Sequence, residues 1–355
     1  PNWPLKLELE FPAVGFAISS EGLWQDVLSG GYPILSRNEP PSELIAVPKT
    51  QKGPRLIASE PDAHQWMQQG VRAFLLRKLG NTFLSTSIHF DDQTFSQEGA
   101  LSASTSGTGC TIDLSSASDR LSCWVVERFF RKNFSFLRAL HSTRTRWVVN
   151  DIDKKQPQFI KLKKFAPMGS ALTFPVQSMV YAIVTIGCLM SLEVGADKAS
   201  RLKASTFRDL ARKCASNTIV FGDDIIVPEH SYPLVSEVLS YLGLKVNVDK
   251  TYVGGNFYES CGVDAYKGVD VTPTYYVQHP VESDPSSVES VVESSNNFHK
   301  GGLWVTADWL VAQIPERYRY LLGVNAIGDG TLGLQSFGGR SITHLKEIWN
   351  ENLHH

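Results

Sequence analysis

Gly222-Asp223-Asp224 lies between two short apolar, β-branched runs, 218–221 and 225–227. Runs of that kind about a glycine read as a β-hairpin, here with two adjacent carboxylates at its tip. Like charges side by side repel, and an apolar surround makes ionising both harder. A divalent cation would resolve the conflict, since Mg²⁺ prefers oxygen ligands and takes one or two carboxylates together with substrate phosphates. Asp-Asp pairs also occur in plain solvated turns, because Asp tolerates turn geometry. The rest of the chain has to decide between the two.

Asp113 lies in a brief strand, 110–114, and the small residues 115–119 lead into a helical pattern from Arg120 to about Leu140. That order puts a carboxylate near the strand's C-terminal end, where ligand sites gather. A helix-capping or turn aspartate is the plainer alternative. Lys49, Lys52 and Arg55 recur at three-residue intervals around Gly53-Pro54. They form either a solvated basic turn or an electropositive loop that meets a triphosphate. In the stretch 167–174, Gly169 allows close backbone approach, and Ser170 and Thr173 offer hydroxyls on one helical side. An ordinary helix N-terminus explains them about as well. Between Arg131 and Lys164 basic residues are dense, with Trp147 and Phe159 interleaved. Such a stretch is a solvated face or a phosphate-tracking surface with stacking aromatics.

The elements that must position these groups read as follows. Apolar residues at helical spacing predict a helix over 64–79. The Ser-, Thr- and Gly-rich stretch 95–109 reads as loop. The apolar run 176–194 contains Gln177, Ser178, Thr185 and Ser191 and lacks basic flanks, so a buried core helix is expected rather than a membrane span. Residues 233–242 read as an amphipathic helix, 244–250 as an alternating strand, and 256–262 with 269–277 as a further hairpin. Residues 282–297 look like an exposed linker, and 303–355 contain two helices.

Composition sets the bounds. With 355 residues, the chain can form several domains or one large domain with subdomains. Its 42% hydrophobic and 20% charged content is ordinary for a soluble globular protein. The net charge of -2 advertises no global field for nucleic acid, although a local basic groove suffices for binding. The five cysteines are scattered and odd in number, without a Cys-x-x-Cys pair, which reads as reduced thiols in a cytosolic setting. No His-Glu-x-x-His spacing occurs. The start, Pro1-Asn2-Trp3, has neither an initiator Met nor a signal peptide, and reads as a fragment or processed product.

Each signal is weak alone, but their order is specific. It runs from the basic Lys-x-x-Lys-x-x-Arg loop through Asp113 and Asp119, the Gly-Ser-x-x-Thr helix start and the Gly-Asp-Asp hairpin to a lysine-bearing strand. This resembles the motif series of an RNA-dependent RNA polymerase. More narrowly, 113–119, 221–226 and 259–273 resemble the replicase catalytic subunit of the leviviruses, positive-strand RNA bacteriophages. The resemblance covers roughly 47–276.

The resemblance implies an α+β right-hand fold with an antiparallel palm sheet, fingers and thumb. It divides the chain into an N-terminal region with fingers (1–104), a palm (105–277, with a fingers insertion near 141–166) and a thumb with the C-terminal region (278–355). It implies RNA-directed RNA synthesis, with Asp113 and Asp223 binding two Mg²⁺ ions, Mn²⁺ as a substitute, and Asp224 assisting. Asp119, Ser170 and Thr173, on the turn of Gly169, would read the ribose 2′-hydroxyl that distinguishes RNA from DNA. Gln177 stands where many relatives carry Asn. Lys49, Lys52 and Arg55 would hold the incoming triphosphate, and Lys250, with Lys245 as competitor, would donate a proton to pyrophosphate. The implied partners are RNA template and product, ribonucleoside triphosphates, and host elongation factors Tu and Ts with ribosomal protein S1, in bacterial cytoplasm and without a membrane. A reverse transcriptase with the same palm, an inactive RNA-binding palm and a metal-dependent nuclease are the rival readings.

Overall fold

The computed structural model describes residues 3–12, 35–36, 38–50, 53–326 and 332–336. It divides into two compact units, Pro1–Val271 and Thr272–His355.

After a short helix at Leu5–Glu8 and a parallel pairing of Trp3–Pro4 with Leu35–Ser36, the first unit has an antiparallel pair, β1 (Ser42–Thr50) and β2 (Gly53–Ser59). Helix α1 (Asp62–Leu79) follows, burying Met67, Val71, Leu75 and Leu79, as the apolar spacing predicts. The next element corrects an expectation. Residues 95–109 are not a loop but contain helix α2 (Thr94–Ser106). Its first turn is fixed by Asp92, whose Oδ1 accepts from the Thr94 N–H at 2.9 Å, and Gly107 closes it at φ 70°. Small residues serve close packing here. A Cβ on Gly99 would come within 2.9 Å of the Ile219 and Ile226 side chains, and Ala100 and Ala103 are buried with Tyr258 and Ala265.

Strand β3 (Gly109–Ile112) leads to Asp113. The single helix expected over 120–140 is instead two, α4 (Cys123–Phe130) and α5 (Phe134–Thr143), after a short α3 (Ala117–Arg120) that ends where the expected helix would begin. Ser122 and Asn133 break it, each accepting the backbone N–H three residues on, from Val125 and Phe136. Strands β4 (Trp147–Val149) and β5 (Phe159–Lys161) join the first pair, giving the order β2-β1-β4-β5.

Helix α6 (Thr173–Val194) is the core of the unit, with Val176, Val180, Tyr181 and Ala182 fully buried. Among the described residues it alone has the length and apolarity to cross a membrane, and 78% of its most apolar window is buried inside the protein. A core helix is what its embedded polar residues predict. Helix α7 (Ala204–Ala215), the hairpin β6 (Ile219–Phe221) and β7 (Asp224–Pro228), and helix α8 (Tyr232–Tyr241) follow.

Residues 244–250 depart from the expected strand. Val246 makes one bridge to Leu114, and 248–250 form a 3₁₀ turn. The alternation instead buries Leu244 and Val246 in the main core. Strand β8 (Tyr252–Val253) completes a second, wholly antiparallel sheet of order β8-β3-β7-β6. The expected hairpin after 256 is a three-stranded meander, β9 (Phe257–Ser260), β10 (Val263–Tyr266) and β11 (Val269–Asp270). Its two-residue turns, Cys261-Gly262 and Lys267-Gly268, have positive φ at all four positions, as type I′ turns require.

The second unit holds a further correction. The stretch 282–297 is not a linker but lies largely in helix α9 (Pro285–Lys300), with Asp284 as N-cap and Pro285 in its first turn. Val288, Val291 and Val292 pack with Leu310 and Ile314 of the segment containing α10 (Trp304–Gln313). A short helix at Glu316–Arg319 and the parallel pair Gly323–Ala326 and Gly333–Ser336 complete the described part.

Candidate active site

Asp113, just past the end of β3, and Asp223, at the tip of the β6–β7 hairpin, line one cavity. Strand β3 pairs with β7 so that Ile112, the residue before Asp113, faces Ile225, the residue after Asp224. Paired strands lie about 4.8 Å apart, so this register brings together residues more than a hundred positions distant in sequence. Asp223 stands at the hairpin tip beside Gly222, whose φ of 64° suits a residue without a side chain. The tip is anchored from α6. Ser178 Oγ accepts the Gly222 N–H at 3.0 Å, and the Phe174 and Phe221 rings meet edge to face with centroids 4.8 Å apart.

Asp113 and Asp223 border a cavity of about 660 Å³ together with Arg55, Asp119, Gly169, Ser170, Thr173, Gln177 and Lys250. Of the site residues read from the sequence, Asp224 is absent from this lining. Its Oδ2 accepts two hydrogen bonds from Cys261, the backbone N–H at 3.0 Å and the thiol at 3.2 Å. Burial pushes the Asp224 carboxyl up to about 6. The Asp223 and Asp113 charges add to that rise and the Cys261 bonds oppose it. Lys49 lies in β1 with its side chain outside the described residues, and Lys52 is itself outside them. Lys245 is exposed, and its carbonyl accepts the Ser115 N–H at 2.8 Å.

Local partners settle what each group can do. Asn247 Nδ2 donates to Asp113 Oδ2 at 2.6 Å, and the Asn247 N–H donates to the Asp113 carbonyl at 2.9 Å. One Asp113 oxygen is thereby oriented by a neutral amide. Lys164 Nζ donates to Asp119, and buried Arg144 fixes that lysine's backbone by donating to the Lys164 carbonyl at 3.0 Å and the Phe165 carbonyl at 2.7 Å. Lys250 donates to Glu259 at 2.8 Å, a bond that raises its pKa, with the Glu259 and Asp113 charges adding to the rise. The Thr173 hydroxyl spends its proton on the Pro167 carbonyl at 2.6 Å, so toward a ligand it can only accept. Ser170 Oγ accepts from the Leu172 N–H at 3.3 Å and keeps its own proton to give.

The Gly169 turn fits against β2. The Ala58 N–H donates to the Met168 carbonyl at 2.7 Å, and a Cβ at Gly169, where φ is 115°, would lie 2.0 Å from the Ala58 oxygen. From the sequence alone, Asn247, Lys164, Glu259 and Cys261 have no individual role at the site, although Lys164 closes the basic stretch and Glu259 and Cys261 lie in the stretch 259–273 that carries the resemblance. Only Cys261 carries a signal that could have found it, because a residue before glycine in a two-residue hairpin turn must adopt positive φ.

The cavity's donor set suits a hard cation brought in with phosphate, since Asp113, Asp119 and Asp223 line one space together with cationic and hydroxyl groups. Among the described residues no three His, Cys, Asp or Glu side chains converge closely enough to cage an ion by themselves.

The chain is 34% identical over 241 residues to the RNA-directed RNA polymerase beta chain of Escherichia phage MS2, covering 68% of this chain and 38% of that one. It is 32% identical over 293 residues to the RNA-directed RNA polymerase subunit beta of Qbeta virus (strain MX1), covering 81% and 44%. The chain thus spans less than half the length of these curated relatives. In fold it is similar to the RNA-dependent RNA polymerase of a human picorbirnavirus, with a TM-score of 0.53 at 12% identity over 79% of this chain and 57% of that one. The family model described as RNA replicase, beta-chain, matches residues 34–200 and 202–304. That span takes in Arg55, Asp113, Asp119, Asp223, the Gly169 turn and the Cys261 hairpin, and on it the chain belongs to the RNA replicase beta-chain family.

Proposed function

We propose that this chain carries the catalytic centre of an RNA-directed RNA polymerase that copies a phage genome from ribonucleoside triphosphates. The observation behind it is the convergence of Asp113 and Asp223, from separate strands, on a cavity that also holds Arg55 and a hydroxyl-lined turn. The antiparallel sheet bearing both aspartates corresponds to the palm, within 105–277. The sheet of β1, β2, β4 and β5 corresponds to fingers, drawing on 1–104 and the insertion near 141–166. Residues 278–355 correspond to thumb and C-terminal region.

Phosphoryl transfer is mostly positioning and charge stabilisation. Asp113 and Asp223 would hold two Mg²⁺ ions, with Mn²⁺ as substitute, and Asp224 would add charge from behind the hairpin. Bound there, such ions would supply positive charge to stabilise the oxygens of the phosphoryl group being transferred. Asn247 keeps the Asp113 carboxylate in one orientation. Arg55, with Lys49 and Lys52, meets the triphosphate, and a planar guanidinium suits phosphate oxygens. A ribose 2′-hydroxyl can donate to Asp119 or Thr173 and accept from Ser170, a match that a deoxyribose lacks. Lys250 stays protonated beside Glu259, as a donor to pyrophosphate must. RNA template and product, a bacterial cytoplasm, and the host partners named above belong to the same reading.

Template-dependent incorporation by the purified protein, with ribo- and deoxyribonucleotides in parallel, tests it. Asp223→Asn should abolish synthesis while RNA binding persists. Full activity in that variant sinks the assignment, preferential deoxynucleotide use indicates a reverse transcriptase, and RNA binding without any synthesis indicates an inactive palm.

A further inference from the structure

The turn that faces the cavity is held from a side the catalytic reading does not use. Gln68 on α1 is fully buried, and its side-chain amide is fully engaged. Its Oε1 accepts the Ala171 N–H at 3.1 Å. Its Nε2 donates to the Thr143 carbonyl at 2.9 Å and to Glu60 Oε2 at 3.1 Å. Glu60 follows β2 directly and is held at its other oxygen by Thr145 Oγ1 at 3.1 Å. One turn earlier on α1, His64 Nδ1 meets the same Thr143 carbonyl at 2.9 Å.

Together with the Ala58–Met168 bond, this leaves Gly169 and Ser170 suspended between two anchors. One is a backbone bond to β2, and the other is the Gln68 amide. We infer that Gln68 is a positioning residue that sets the ribose-reading turn in register with the strand bearing Arg55. Because its Nε2 also engages Glu60 at the end of β2, one amide ties the triphosphate-facing strand to the sugar-facing turn. The inference rests on the polymerase reading for its effect on nucleotides, but its geometric content does not. A wholly buried amide with all three bonds made is a costly group to keep unless each bond is kept.

Hydrogen exchange of the 167–173 segment tests the geometry without any catalysis, and nucleotide kinetics tests the consequence. Gln68→Met keeps the length and removes every polar atom, while Gln68→Asn keeps the amide but is one methylene too short. Both should speed exchange in 167–173 by about three- to tenfold, the worth of one hydrogen bond. Nucleotide KM should rise by about the same factor, with kcat within about twofold and weaker preference for ribo- over deoxyribonucleotides. Thr145→Val loosens Glu60 without touching the turn, and should lower the melting temperature while leaving exchange in 167–173 as in the wild type. Unchanged exchange in both Gln68 variants, or equal acceleration in Thr145→Val, overturns the inference and leaves Gln68 a plain packing residue. If the wild type incorporates no nucleotide, the polymerase reading falls, and the exchange data still decide the role of Gln68.

Discussion

Gly169→Ala is the substitution whose consequence can be worked furthest from the geometry. An added Cβ would lie 2.0 Å from the Ala58 oxygen and 3.0 Å from its carbon, both rigid backbone atoms. The φ of 115° is also one that alanine rarely adopts, at a cost of about 1–3 kcal/mol. Overpacking against backbone adds about 1–3 kcal/mol if the turn stays in place. The turn can avoid the clash only by leaving β2, which breaks the Ala58–Met168 bond at about 1 kcal/mol. Withdrawal also displaces Ser170, so the loss divides between stability and nucleotide binding. We expect a stability loss of about 2–4 kcal/mol, read by urea unfolding, with a nucleotide KM raised at least about tenfold. An alanine variant that unfolds at the wild-type urea midpoint and keeps the wild-type KM would show that the close approach of the turn to β2 is not what holds the site.

Cys261→Ala removes the thiol bond to Asp224 while keeping the backbone one, and should cost about 1 kcal/mol in urea unfolding; Cys261→Asn, a better residue for this turn, should recover it. His64 is buried, and burial lowers its pKa below the usual 6.5. Below that pH the unfolded chain takes up the proton more readily than the folded one, so stability should decline as pH falls from about 7 to 5. His64→Asn can still donate to Thr143 and should flatten that decline; parallel unfolding curves at pH 7.5 and pH 5 for both proteins check it. Arg55→Ala should raise the nucleotide concentration needed for half-maximal synthesis by about tenfold or more, and an unchanged dependence would remove Arg55 from triphosphate binding.

The parts of the fold legible in the sequence are those where one periodicity dominates. Helix α1 buries Met67, Val71, Leu75 and Leu79 of its apolar spacing and leaves Phe74 exposed, helix α6 is buried as its composition predicts, and the β-branched runs about Gly222 make the hairpin. Small-residue stretches were misleading. Ser, Thr and Gly in 94–106 resemble a loop until β7 and the meander are there to press against them. In 282–297 the serines hid Val288, Val291 and Val292, which are spaced for a helix. Charged site residues were visible because carboxylates and cations at regular spacing are rare enough to notice. Their neutral supports were not. Asn247 sits 134 positions from Asp113, and an amide in a polar stretch carries no local mark of the carboxylate it will orient.

Helix α6 sets a length standard for the site. Thr173 at its start belongs to the sugar-facing turn, and Ser178 grips the tip that carries Asp223. Five residues of helix rise about 7.5 Å, so the spacing between these two chemistries is fixed by helical pitch rather than by loop packing. Inserting one residue between them would lengthen the gap by about 1.5 Å and swing Ser178 by about 100°, off the hairpin altogether. Natural variation in chain length should therefore collect in the turns around 151–157, while the segment from Thr173 to Ser178 keeps one register.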